Sequence, residues 1–475
     1  MKKKKVIVIG AGPAGLTAAY ELAKKGFDVV VLEQDSIVGG ISRTINHKGF
    51  RFDIGGHRFF TKNKEIEEWW KDILKEDFLT RPRLSRWYYR KKFFNYPIKP
   101  LELLGVFGIF DSIRIGLSFI KAKIKPIIPE RSLADWCINN FGYYLAKPFF
   151  IDYNLKLWGV HPSNLSKDFA SQRVKGISFT TALKEAIKKT LGVKRGEVKS
   201  LIEQFQYPKF GPGMMWERVE SLIERNHGKV LKGWKVIKIN HKNGKIVSIT
   251  AQSKNKRKEF KADYVLSTMP LKNLIFSLEP APPKDILDAV KSLSFRDFIT
   301  VALMIDQEKT VPDTWVYTHD EGMKPIRVQI FKNWSPFMVP SKDKSCIGFE
   351  YVCSEGDELW SMTKEQLIEQ AKSDLEKLGF ADVKKVFDAE VVKLKDVYPV
   401  YLLDYQEHVN KIKSYLQNNF KDNSLQPIGR GGLHRYNNTD HSMMTAFLAV
   451  KNILGEGKFD QWNVNSDAEY HEEKK

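Results

Sequence analysis

Cysteine is scarce: Cys137, Cys346 and Cys353 are the only three in 475 residues. None forms a CxxC pair, and no HExxH or comparable His/Cys cluster occurs. A disulfide scaffold and a zinc site are therefore not expected, no metal is assigned, and a reducing, cytoplasmic compartment fits. Long apolar runs are also missing. The richest stretch, 101–128, is interrupted by Asp111 and Arg114, short of the roughly 18 continuous apolar residues a membrane span needs. No internal repeat or low-complexity linker is seen. Acid is in deficit, with 57 Asp+Glu against 77 Lys+Arg and a net charge of +20. Such a surplus admits nucleic acid, a membrane surface or an acidic small molecule as partner. No helix-turn-helix, RRM-like or zinc signature accompanies it, so nucleic acid is not expected.

What is present begins at the N-terminus. A basic start, Met1–Lys5, precedes the β-branched run Val6–Ile9, which passes into Gly10-Ala-Gly12-Pro-Ala-Gly15. The order resembles a signal peptide, but a strand and glycine turn explain it better. Helical periodicity from Leu16 to Lys25, a second β run Phe27–Leu32 and then Glu33 complete a βαβ unit. Gly10 makes the tight turn, Gly12 lets the backbone approach a pyrophosphate, Gly15 packs helix on strand, and Glu33 is placed to hold a ribose. A dinucleotide cofactor follows. Residues 66–200 read as mostly helical; Phe298–Ile305, Arg327–Phe331 and Cys346–Val352 read as strands; Ser442 to about Leu454 reads as a closing helix with Ser442 near its start. The basic, apolar segment 101–128 is a candidate contact with a membrane surface or another subunit.

Further segments carry a resemblance. Val38-Gly39-Gly40-Ile-Ser42-Arg43, Phe52-Asp53-Ile54-Gly55-Gly56-His57, Ala262 to Pro270, Gly429-Arg430-Gly431-Gly432 and Asp440-His441-Ser442 resemble the large flavoprotein group of amine oxidases, protoporphyrinogen oxidase, carotene desaturases and UDP-galactopyranose mutase. The likeness sharpens to the mutases, especially eukaryotic-type ones, in Gly-Gly-His57, Arg83-Leu-Ser85 followed by Tyr96-Pro97, Asn154 with Trp158, Arg173, Arg327 to Trp334, Tyr398-Pro399, and Arg430 with Tyr436 and Asn438. The chain departs from that branch at Ile98-Lys99, at Trp334 where a tyrosine stands, and in a shorter 436–438 loop.

The resemblance implies an α/β fold: a discontinuous Rossmann-like FAD-binding domain (1–65, 200–275, 410–475), a helical insertion (66–199) and a mixed or antiparallel β-sheet substrate domain (276–409). It implies FAD, active when reduced, with NAD(P)H as candidate reductant. Gly39, Gly40, Ser42, Gly55, Gly56, His57, Val236, Gly429, Asn438, Asp440, His441 and Ser442 would join Gly10, Gly12, Gly15 and Glu33 around it. Arg83, Ser85, Tyr96, Asn154, Trp158, Arg173, Trp334, Tyr398, Tyr436 and Asn438 would contact a nucleotide-diphosphate sugar. His57, Arg327 and Arg430 would be the catalytic residues, the arginines gripping the diphosphate because planar, permanently charged donors suit it. The implied reaction is a pyranose–furanose interconversion through attack of flavin N5 on the anomeric carbon, with no net redox. The alternative is an FAD-dependent oxidoreductase of the amine oxidase, protoporphyrinogen oxidase or desaturase type. A homo-oligomer is a candidate assembly.

Overall fold

The computed structural model describes residues 3–95, 100–169 and 204–465. Lys5–Ile9 is the central strand of a five-stranded parallel sheet, in the order Leu425–Pro427, Tyr264–Ser267, Lys5–Ile9, Asp28–Glu33, Lys229–Lys232. Val6 and Val8 are wholly buried, as a strand covered on both faces requires. Helix Pro13–Lys24 packs Ala14, Ala18, Ala19 and Leu22 into the same core as Met443, Ala446 and Val450 of helix Thr439–Leu454. The small alanines let the two helices approach. A four-stranded sheet (Lys235–Lys242, Lys245–Ser253, Lys256–Lys261, Leu278–Glu279) lies beside this unit in the chain.

The second layer is a seven-stranded sheet ordered Val386–Pro399, Phe295–Ile305, Ser345–Cys353, Arg327–Ile330, Trp315–Thr318, Ser85–Tyr89, Lys92–Asn95. All neighbours are antiparallel except Trp315–Thr318 with Ser85–Tyr89. Every residue of Ser345–Cys353 is buried. One face packs Val316, Val328, Ile330, Ile347 and Phe349 in one core with Leu367, Ala371 and Leu375 of helix Lys364–Leu378. The period of two sends Trp315, Tyr317, Arg327, Gln329 and Glu350 to the opposite face.

The α/β class holds as expected. Two local expectations do not. Residues 78–95, read as helical, form strands Phe78–Pro82, Ser85–Tyr89 and Lys92–Asn95; helices begin only at Pro100–Ile124. The last helix starts at Thr439, capped by Asn438, so Ser442 lies one turn inside it.

Candidate active site

A cleft of ≈ 990 Å³ runs between the parallel sheet and the polar face of the large sheet. Its first half is built by glycine. A Cβ on Gly10 would sit 2.0 Å from Thr268 Oγ1, and one on Gly15 would sit 2.0 Å from the Gly10 carbonyl oxygen. Gly12 is different: a Cβ there would meet nothing nearer than Gly40 Cα, at 3.8 Å. Its bare backbone lines the cleft as N-cap of helix Pro13–Lys24, whose first turn holds no acid. Free N–H groups and the helix dipole there suit a pyrophosphate. The Gly39 amide donates to the Ala11 carbonyl at 2.8 Å, tying the second glycine turn to the first. Glu33 accepts from the amides of Ala11 (2.6 Å) and Asp35 (2.9 Å). Burial nevertheless raises its pKa above the usual carboxylate range. A carboxylate has about four acceptor sites, so two remain for a ribose diol. These features fit FAD. Val236, Gly40, Ser42, Gly429, Asn438 and Ser442 line the same cleft.

The second half is cationic and aromatic. Arg327 Nε and Nη2 both reach Glu350 Oε2, at 2.9 and 2.7 Å. Glu350 is fully buried and also accepts from Gln329 Nε2 at 2.6 Å. The Arg327 guanidinium lies against the second glycine pair: a Cβ on Gly56 would be 3.4 Å from its Nη1. Arg430 is held differently. Its Nε donates to the Asn437 carbonyl at 2.9 Å, and its guanidinium carbon lies 4.7 Å from the Tyr436 ring centroid and 5.4 Å from that of Tyr398. Those two rings stack, 5.3 Å apart and 5° from parallel.

His57 lines the same cleft as the two arginines, half-buried, with Nε2 2.8 Å from the Ile54 carbonyl. Burial, and then the positive charges of Arg430 and Arg327, lower its pKa to about 4. The imidazole is therefore neutral at pH 7. Since a carbonyl only accepts, Nε2 carries the proton toward Ile54. Burial raises the Tyr398 hydroxyl pKa, and Arg327 and Arg430 both oppose that rise. Two distant arginines thus converge on one histidine and one tyrosine.

The other expected residues divide between the cleft and its surroundings. Trp334 lines the cleft, donating Nε1 to Thr314 and Gln329 oxygens at 3.0 Å each. Asn154 and Trp158 are buried behind it: Trp158 donates to Asn154 Oδ1 at 3.1 Å and meets Tyr398 and Tyr436 edge-on at 6.3 and 6.0 Å. They brace the tyrosine pair instead of facing the opening. Arg83 sits over the Trp315 ring at 5.3 Å, and Ser85 is buried in register with Trp315. Asp440 and His441 line a separate pocket of ≈ 220 Å³ with Asn63; His441 Nδ1 accepts from the Asn438 amide at 3.4 Å as part of the helix cap. Tyr96 and Arg173 lie outside the described residues. Glu350, Gln329, Trp315 and Tyr317 went unseen in the sequence. The alternation Trp-Val-Tyr and Phe-Glu-Tyr hints at two faces of a strand but does not say which residues lie across from them.

Glycine cradle, ribose carboxylate and parallel sheet together define a flavin-binding enzyme fold. The family model for flavin-containing amine oxidoreductases matches residues 13–407. The chain belongs to that family, and is an FAD-dependent enzyme of the amine oxidase superfamily. It is 25% identical over 313 residues to the L-amino-acid oxidase of Crotalus adamanteus, a stretch covering 62% of this chain and 56% of the relative. The chain thus spans little more than half the length of such curated relatives. Among solved structures, reduced UDP-galactopyranose mutase superposes with a TM-score of 0.83 at 19% identity, covering 99% of this chain and 97% of that one. Cyclohexylamine oxidase from Brevibacterium oxydans gives 0.63 at 14% identity, covering 95% and 100%. At these identities the likeness is one of fold.

Proposed function

We propose that the protein is an FAD-dependent nucleotide-sugar mutase, interconverting pyranose and furanose forms of a UDP-sugar without net redox. The observation that carries this reading is that Arg327, Arg430, Tyr398 and His57 line one cleft, beside the Gly55–Gly56 wall. Arg430 brings a second guanidinium, which donates to the Asn437 carbonyl and lies against the rings of Tyr398 and Tyr436. A diphosphate is the ligand such a site would hold throughout a reaction in which it leaves and returns. Tyr398 and Tyr436 would position it. His57, neutral, adds no third charge to the cleft. Bound FAD, in its reduced form, would supply electron density for the chemistry, with NAD(P)H as the reductant.

A second reading is oxidation of an amine-bearing substrate. The family and the L-amino-acid oxidase relatives favour it, and either arginine could grip a carboxylate. Two cations repel an ammonium, however, and the stacked Tyr398–Tyr436 pair leaves no slot between its rings. The test is direct. Dithionite-reduced protein, kept anaerobic, should convert UDP-galactofuranose to UDP-galactopyranose. Steady oxygen consumption with L-amino acids, and no conversion, would establish the oxidase instead.

A further inference from the structure

Helix Pro100–Ile124 is apolar on two sides. Ile115, Phe119 and Ala122 are buried. At about 100° per residue, the outward stripe holds Ile109, Phe110, Ile113, Leu117, Ile120 and Ile124, all between 53% and 83% exposed. Ile127 and Ile128 continue it past the helix end. An outward apolar band of this kind is a surface built to be covered.

Charge says by what. Lys121 and Lys125 stand on one shoulder of the stripe, exposed and in no ion pair among the described residues; Arg114 lies between them around the helix. From residue 109 to 128 the single acid is Asp111, already engaged by Arg90 at 3.1 Å and Arg114 at 3.5 Å. A second copy docking about a twofold axis would set this basic shoulder against itself, with Asp111 already engaged. An anionic lipid surface answers it. Tyr143 and Tyr144, both exposed, adjoin the same shoulder through the Tyr144 amide and Ser118 Oγ, at 3.3 Å. Tyrosines favour the headgroup level. No helix among the described residues is long and apolar enough to cross a membrane, so the geometry is that of a helix lying in the surface.

We infer that the 109–128 face docks the enzyme on a membrane surface bearing anionic lipid, with the isoleucine stripe entering the acyl boundary and Lys121 and Lys125 at the headgroups. The inference is independent of the substrate. It is tested by co-sedimentation of the flavin-loaded full chain with phosphatidylcholine vesicles, and with vesicles carrying about 30% phosphatidylglycerol. Wild type should sediment with the anionic vesicles and be released by salt. I113S/L117S should bind at least about tenfold more weakly to both vesicle types. K121E/K125E should lose the preference for phosphatidylglycerol while keeping the weaker phosphatidylcholine binding. Flavin content and melting temperature should match wild type in both variants, since the side chains are exposed. The inference is overturned if wild type sediments with neither vesicle, or if I113S/L117S binds like wild type. It is equally overturned if sedimentation velocity shows a dimer that I113S/L117S dissolves and vesicles do not compete for; a second copy would then be the cover.

Discussion

Arg327 and Arg430 bear on the same histidine but are held by opposite means. Arg327 rises from the middle of a buried sheet, on a carboxylate directly across the ladder, Arg327 pairing with Glu350 in register. Arg430 comes from a short glycine-rich turn, Gly429–Gly432, and rests on a carbonyl and two tyrosine faces. The first is a cation already answered and rigidly placed. The second is a cation packed between a carbonyl and aromatic faces. The difference suggests a division of labour under the proposed function: the sheet arginine would shape the wall, and the turn arginine would meet the anion.

The largest expected effect follows from the sheet arginine. Arg327→Ala strands Glu350, fully buried, with Gln329 as its one remaining side-chain donor among the described residues. Removing one partner of a buried pair typically costs about 3–5 kcal/mol. Urea unfolding should register a loss of that order. An Arg327→Ala protein as stable as wild type would show that water or relaxation replaces the guanidinium, and the contrast between the two arginines would weaken.

Arg430→Ala should do the reverse. It removes a hydrogen bond to a carbonyl and cation–π packing, interactions that typically contribute about 1–2 kcal/mol. UDP affinity, measured by calorimetry, should fall about 10–100-fold, since charge-assisted hydrogen bonds contribute about 1.5–3 kcal/mol. If Arg327→Ala weakens UDP more than Arg430→Ala does, once both are shown folded and flavin-loaded, the assignment of attraction to Arg430 is wrong.

The two arginines also differ in how far the sequence discloses their setting. Gly10, Gly12, Gly15 and Glu33 are legible because a turn, a helix start and a strand end lie within one short stretch. Arg430 is legible as part of a glycine-rich segment near the C-terminus. Glu350 is not, because its meaning lies in cross-strand register: nothing in residues 345–353 states that position 350 faces Arg327, and the intervening loop does not fix the pairing. Trp315 and Tyr317 stay hidden for the same reason. The misread stretch 78–95 has its own cause. Tyr89 pairs with Lys92, so the hairpin turns on Arg90-Lys91, at φ 49° and 58°. Such turns usually announce themselves by Asn or Gly; two basic residues give no such signal, and the aromatic run around them suits a buried helix as well as a strand.

Tyr436→Leu sharpens the comparison from the aromatic side. It keeps apolar bulk but removes one ring face 4.7 Å from the Arg430 guanidinium and one half of the Tyr398 stack. A cation–π contact contributes about 0.5–2 kcal/mol depending on its exposure to water. UDP binding should weaken by a few-fold, less than in Arg430→Ala. In an Arg430→Ala background, Tyr436→Leu should add almost nothing, because its contribution passes through the missing cation; a fully additive double mutant would place Tyr436 on the ligand directly.

The smallest effect is a titration, and it asks whether both charges are felt at one point. The His57 pKa is lowered to about 4, first by burial and then by Arg430 and Arg327. A histidine depressed in the folded state binds its proton more readily in the unfolded chain. Its contribution to stability is therefore complete above the ordinary value near 6.5 and is lost as pH falls toward about 4. Arg430→Ala removes one repelling cation, so the His57 pKa should rise while remaining below 6.5. An NMR titration of the ring should show the shift, and acid should destabilise the variant over a narrower pH range than wild type. Burial is the larger cause and is untouched, so the rise should be partial. A His57 pKa unmoved by Arg430→Ala would mean that the two guanidinium groups do not share the cleft electrostatically, and the diphosphate reading would lose its physical basis.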